Sequence, residues 1–207
     1  FPSFISADHG ILSGFALEVG STSTYTATFT PYPGVEADGQ NDITVDMTQV
    51  RDTAGNAGKG TVSTTVNYTV DTLAPTVIID MDDKDLIVGE SANVTLIFKE
   101  KVTNLDGSTL SLNNVITAEN GTLSAFALTP GSTSTYKATF TPDPDQAYYG
   151  ENHITVDMTK VKDIAGNVGI SPTAINYSVD TAPPEIDPSE TTVSIDKHSN
   201  IITVELA

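Results

Sequence analysis

The chain has 207 residues, with 27 acidic against 9 basic side chains, a formal charge of −18, and neither cysteine nor tryptophan. That balance excludes the basic footprint a nucleic-acid or anionic-membrane partner needs. The lack of cysteine excludes thiol catalysis, thiolate zinc sites and disulfides.

Taken in order, the predicted elements are strands. No run approaches the ~18 apolar residues of a membrane-spanning helix. The opening "FPSFISADHG" has neither the positive n-region nor the apolar core expected of a signal peptide. Segments "GSTSTYTATFTP" (20–31), "ITVDMTQV" (43–50) and "YTVDTLAP" (68–75) come first. Then follow "TVIID" (76–80), "NVTLIF" (93–98), "STLSLNNVIT" (108–117), "TLSAFALT" (122–129), "TYKATFTP" (135–142), "HITVDM" (153–158) and "AINYSV" (174–179). They are rich in Val, Ile, Thr, Tyr and Phe, and most alternate apolar and polar residues. Gly, Pro, Asn and Asp lie between them. Seven short strands at this spacing predict an all-β fold of tandem immunoglobulin-like sandwiches, with no amphipathic helix.

The chain repeats itself. Residues 5–58 align with 116–169 at an offset of 111, with 34 of 54 positions identical. "RDTAGNAG" (51–58) returns as "KDIAGNVG" (162–169), and "YTVDTLAP" returns as "YSVDTAPP" (177–184) at an offset of 109. The unit is about 110 residues, which reads as a tandem array. The expected division is 1–73, a repeat lacking its first strands; 74–182, a complete repeat; and 183–207, the start of a third. In that last segment "TTVSID" and "NIITVEL" suggest a hairpin. The first unit has no counterpart of "TVIIDMDDKDLIVGESANVTLIFKE", so a half-sandwich would leave its inner face uncovered. The expectation is that the missing strands come either from residues of the parent chain outside this sequence or from a neighbouring molecule, through the tail hairpin at 191–206.

The ordered set "VDTLAPTV", "GESANVTLIFKEKV", "YKATFTP", "ITVDM…KDIAGNVG" and "YSVDTAPP" resembles the bacterial Ig-like repeats of giant secreted adhesins and biofilm-associated proteins. The resemblance covers nearly the whole chain. It implies calcium-binding extender modules on the bacterial surface, exported in one step by a type I system. One departure is that Thr109 stands before Leu110 where the family pattern often has Asp.

Strand polarity predicts where the acids meet. The final strand of unit two runs toward the C-terminal linker, so the loop 159–172 before it lies at the opposite end, where the linker from unit one enters. Asp163 should therefore approach Asp71. The loop 99–108 reaches the same end and brings Glu100 and Asp106. Carboxylates ~4 Å apart repel by about 4 kcal/mol per pair at an effective dielectric of ~20. An oxygen-only ligand set on loops of a secreted protein points to Ca²⁺. Asp52 is the counterpart of Asp163 and Asp180 that of Asp71, each at a site that further repeats would complete.

Blander readings stand beside these. Asp-x-Ala-Gly-Asn also makes an Asx-turn, and Gly166 and Asn167 read as loop-shaping residues. "DMDDKD" (80–85) with "DPD" (143–145) reads as a second acidic group or as solvated surface. Asp46 and Asp157 read as surface residues or as accessory ligands. The histidines, His9, His153 and His198, do not recur between units and read as surface groups. No nucleophile motif or phosphate loop is present, so the chain is not expected to be an enzyme. The leading functional reading is a stalk of calcium-stiffened repeats. Its partners would be neighbouring repeats, with any host receptor contacted from outside this chain. The alternatives are a glycan- or protein-binding module, for which Tyr148 and Tyr149 are the local candidates, or an accessory domain of a secreted enzyme.

Overall fold

The computed structural model describes residues 3–64, 67–183, 192–196 and 201–205. Unit one contains β1 (Ile5–Ala7), β2 (Gly10–Leu17), β3 (Tyr25–Pro31), β4 (Glu36–Asn41), β5 (Ile43–Asp46), β6 (Thr61–Ser63) and β7 (Tyr68–Asp71). Unit two contains β8 (Val77–Met81), β9 (Asp85–Ile87), β10 (Ala92–Phe98), β11 (Val102–Asn104), β12 (Ile116–Ala118) and β13 (Gly121–Leu123), then β14 (Ala127–Leu128), β15 (Thr135–Pro142), β16 (Ala147–Val156), β17 (Val161–Asp163) and β18 (Thr173–Asp180). The tail forms a hairpin of β19 (Thr192–Asp196) and β20 (Ile201–Glu205). Among the described residues three short 3-10 turns complete the set, and no described helix is long and apolar enough to cross a membrane.

Unit two is a two-layer sandwich. One sheet has the order β13-β15-β10-β8, with β14 also paired to β15; the other runs β12-β16-β18-β9, with β9 parallel to β18. Side chains alternate across each strand. In β10 this puts Ala92, Val94, Leu96 and Phe98 inside, while Asn93 and Ile97 face out. They meet Phe140, Ile154, Val156 and Val179 from the rest of the sandwich. Each such side chain contributes roughly 1.5–3 kcal/mol on burial. Across the layers Phe140 packs edge-on against Tyr177, ring centres 4.9 Å apart. The Tyr177 hydroxyl donates to the Glu119 carbonyl.

Segment 108–117 is not the strand its composition suggested. Leu110, Leu112 and Val115 are buried around a 3-10 turn at Leu112–Asn114, a spacing that a two-residue period cannot deliver, and only Ile116–Ala118 is extended. Segment 122–129 breaks into β13 and β14. Conversely, two segments read as loops contain strands. β11 and β17 form an antiparallel ribbon with Val102 opposite Asp163 and Asn104 opposite Val161. This ribbon positions the site described below.

Unit one uses the same pieces without a lid. β1-β5-β6, β2-β3 and β4-β7 form separate small sheets. Its aromatic pair Phe29–Tyr68 matches Phe140–Tyr177 at 5.1 Å. However, Tyr25, Ile11 and Val62 are 55, 52 and 58% exposed. An open apolar trough is lined by Phe4, Phe15, Tyr25, Val45, Met47 and Val50. Among the described residues no strand of this chain covers that face. Unit two is closed by β8 and β10, which have no counterpart among the described residues of unit one.

Candidate metal centre

β7 delivers Asp71 as its last residue, at the exit of unit one. β10 ends at Phe98, and the Lys99 amide bonds back to the Thr76 carbonyl (3.1 Å), so Glu100 follows beside the incoming linker. The β11–β17 ribbon ends on Asp163. Ligand atoms of Asp71, Glu100 and Asp163 all lie within 4.8 Å of one another. Among the described residues this is the only such group of three or more acids or histidines.

Asp163 is 1% exposed and rigidly held. One carboxylate oxygen accepts the amides of Gly166 (2.7 Å) and Asn167 (2.8 Å), and the other accepts the Asn167 side-chain amide (2.8 Å). The loop needs its glycines for two different reasons. Gly166 has φ +102°, which side chains rarely adopt. At Gly169 a Cβ would collide with the Met158 carbonyl oxygen. Asn167 also donates to the Asp71 carboxylate and carbonyl, at 3.2 Å each. A side chain read only as loop-shaping therefore sits between two of the acids.

Asp71 and Glu100 are half-buried. Asp71 accepts the Leu73 amide at 3.2 Å, while no hydrogen bond to the Glu100 carboxylate forms among the described residues. Burial first, then the charges of Asp163, Asp71 and Glu36, push the Glu100 carboxyl above its usual range. A second bond crosses the junction: Lys99 Nζ meets Glu36 at 2.6 Å, which raises the Lys99 pKa.

The shared "VDT" phrase has its own role. Thr72 Oγ1 donates to the Tyr32 carbonyl (2.7 Å) and accepts the Val35 amide (3.0 Å). Thr181 does the same with Asp143 (2.7 Å) and Gln146 (2.9 Å). Each unit thereby ties its exit strand to its own Pro-rich loop. The recurrence of Asp-Thr ahead of Pro was the available signal.

The remaining acids lie apart. Asp106 was expected at the same end, but it is outside the group of three. Its carboxylate accepts the Ser108 amide and hydroxyl (2.8 and 2.6 Å) in a turn that reverses at Gly107. Asp52 builds the same loop as Asp163, accepting from Ala54 (2.9 Å) and Asn56 (2.8 and 2.9 Å), and Asp180 ends β18 as Asp71 ends β7. Neither belongs to a group of three or more acids or histidines among the described residues. The group 80–85 with 143–145 does not converge either. Asp82 bonds Asn93, Asp83 the amide of Asp85, and Asp85 the hydroxyl of Ser178. Asp46 and Asp157 cap the 3-10 turns that follow β5 and β16. His153 meets Glu119 at 3.1 Å and His9 occupies a turn with φ 54°. His198 and the side chains of Tyr148 and Tyr149 lie outside the described residues.

The family model of the bacterial Ig-like domain matches the chain twice, at residues 3–70 and 71–179. The chain belongs to the bacterial Ig-like domain family. No curated protein matches it. The boundary between the two matched Ig-like repeats falls immediately before Asp71, so the three acids gather where one repeat passes into the next.

Proposed function

We propose that these bacterial Ig-like repeats are a calcium-stiffened stalk of a surface adhesin, which projects a distal binding region from the cell. The carrying observation is the gathering of Asp71, from the exit strand of one repeat, with Glu100 and Asp163 of the next. Three carboxylates within 4.8 Å repel by about 3–4 kcal/mol per pair at an effective dielectric of about 20, less where water screens Asp71 and Glu100. A divalent cation reverses the sign of that interaction. The donors are all hard oxygens: three carboxylates, each offering a ligand atom, with the Asp71 carbonyl beside them on the Asn167 amide. Such a set suits Ca²⁺, which takes 6–8 oxygens on flexible segments, better than Mg²⁺ or a transition metal. Asp163 is held by Gly166 and Asn167 before any ion arrives, and Pro75 limits the linker. An ion at this point would fix the angle between repeats.

The experiment is small-angle scattering of the chain in millimolar calcium and in EDTA, beside isothermal titration. A longer maximum dimension and a narrower distance distribution with calcium are expected, together with saturable binding lost in Asp163→Ala. Identical scattering in both buffers, or no binding, overturns the reading.

A further inference from the structure

A fourth acid stands beside the three, and the chain supplies it with a cation of its own. Glu36 lies directly opposite Asp71 in the β4–β7 pair, and its carboxylate meets Lys99 Nζ at 2.6 Å. Like charges directly opposite one another on paired strands repel, so Lys99 stands where a counter-charge is needed. Glu36 belongs to repeat one, whereas Lys99 follows β10 of repeat two and immediately precedes Glu100. The Lys99 amide bonds the Thr76 carbonyl, which fixes the root of the side chain where the linker enters repeat two. One turn therefore delivers both the ammonium and a candidate ligand to the junction. The electrostatics agree with that placement. The bond to Glu36 first, then the charges of Glu100 and Asp71, raise the Lys99 pKa, and Lys99 opposes the rise that burial and the neighbouring acids cause at Glu100.

The fold does not require an acid at this place. At the offset of 111 the counterpart of Glu36 is Ala147, which pairs with Asp180 as Glu36 pairs with Asp71. The Lys99 and Glu36 side chains are 52 and 50% exposed. An ion pair so open to water is weak, and a divalent ion can break it. We propose that Lys99 is a tethered counter-ion of the junction, which neutralises Glu36 while no metal is bound and is displaced by a divalent cation, leaving Glu36 free to turn its carboxylate toward that cation. This role rests on the calcium reading above. Its physical content is a competition. An ammonium and a divalent ion repel each other among the same carboxylates, and the ion carries twice the charge. Lys99 thereby sets the calcium concentration at which the junction stiffens, although it offers the metal no ligand atom.

Isothermal titration of the full chain with calcium tests this. Lys99→Met should bind calcium about fivefold more tightly than the parent, or better, while Lys99→Arg keeps the charge and should stay close to the parent. Glu36→Gln added to Lys99→Met should take back most of the gain. Lys99 and Glu36 lie at the surface, so all these variants should fold, and their melting in EDTA checks it. Zero-length carbodiimide coupling reads the displacement directly. Without metal it should join Lys99 to Glu36, and saturating calcium should suppress that product. Coupling of Lys160 to Asp157, a pair 3.3 Å apart within repeat two, should not change. Lys99→Met with the affinity of the parent, or a weaker one, overturns the proposal, as does a Lys99–Glu36 product that persists in saturating calcium. A parent chain that binds no calcium removes the calcium stalk and the displacement together, whereas a parent that binds it as tightly as Lys99→Met removes the displacement alone.

Discussion

The side-chain amide of Asn167 lies 3.2 Å from the carboxylate of Asp71, 96 residues away, while the same nitrogen holds Asp163 at 2.8 Å. One neutral side chain thus bridges acids from two repeats. Asn167→Ala should cost about 1–3 kcal/mol, the range for leaving buried polar groups without partners, and should lower the melting temperature of repeat two by several degrees. A calorimetric scan resolving the two repeats checks this; an unchanged upper transition counts against the bridge.

Asp163→Ala removes both a cap and a proposed ligand. The side chain is 1% exposed and accepts three hydrogen bonds within its loop, so its loss should destabilise repeat two even in EDTA, while the sandwich still folds on its own core. Asp163→Asn keeps the shape but not the charge, and should weaken calcium binding at least tenfold with a smaller loss in EDTA. Titration of both variants, beside melts in EDTA, separates the two roles. Equal calcium affinity in parent and Asp163→Asn removes the ligand role.

Without cation, acidification should relieve the junction. Glu100 titrates above its ordinary 4.5 because of burial and the neighbouring acids. The folded state therefore holds more protons than the unfolded one between the two pKa values, and stability falls as pH rises through that window. In EDTA, lowering the pH from neutrality toward 5 should raise the melting temperature, and Glu100→Gln should flatten that rise. In calcium the slope should reverse, since protons compete with the ion. A melting curve independent of pH in EDTA contradicts this.

Calcium should also raise the melting temperature overall. A site filled at about 100 times its dissociation constant adds roughly 2.7 kcal/mol. Equal midpoints in calcium and in EDTA would exclude a site of useful affinity.

Equivalent phenylalanines should differ in cost. Phe140 is fully buried on β15, beside β10 in the same sheet, and Phe140→Ala should cost about 3–5 kcal/mol. Phe29 occupies the same place in repeat one but is only half-buried, and Phe29→Ala should cost less than about half as much. Urea unfolding of the two variants makes the comparison.

The sequence by itself determined the β-sandwich of repeat two, because alternating apolar residues in segments such as 93–98 have only one packing that hides them. It also determined which end of the repeat receives Asp71, Glu100 and Asp163, because antiparallel strands reverse at every turn. Only the tertiary structure decided the rest. Asp106 shares a loop with Glu100, yet its carboxylate turns back to Ser108, a choice made by local hydrogen bonds that strand order does not carry. Asn167 looked like a turn residue and became a bridge, because its neighbour across the gap lies 96 residues earlier. The β11–β17 ribbon was hidden in loop-like sequence, since three-residue strands are too short to show a period and are held by their partner rather than by their own residues. The open face of repeat one also required the structure: Val156, Met158 and Val161 are buried in repeat two, while their counterparts Val45, Met47 and Val50 are only half-buried where no described strand takes the place of β8 and β10, and burial belongs to the pair of surfaces rather than to either one.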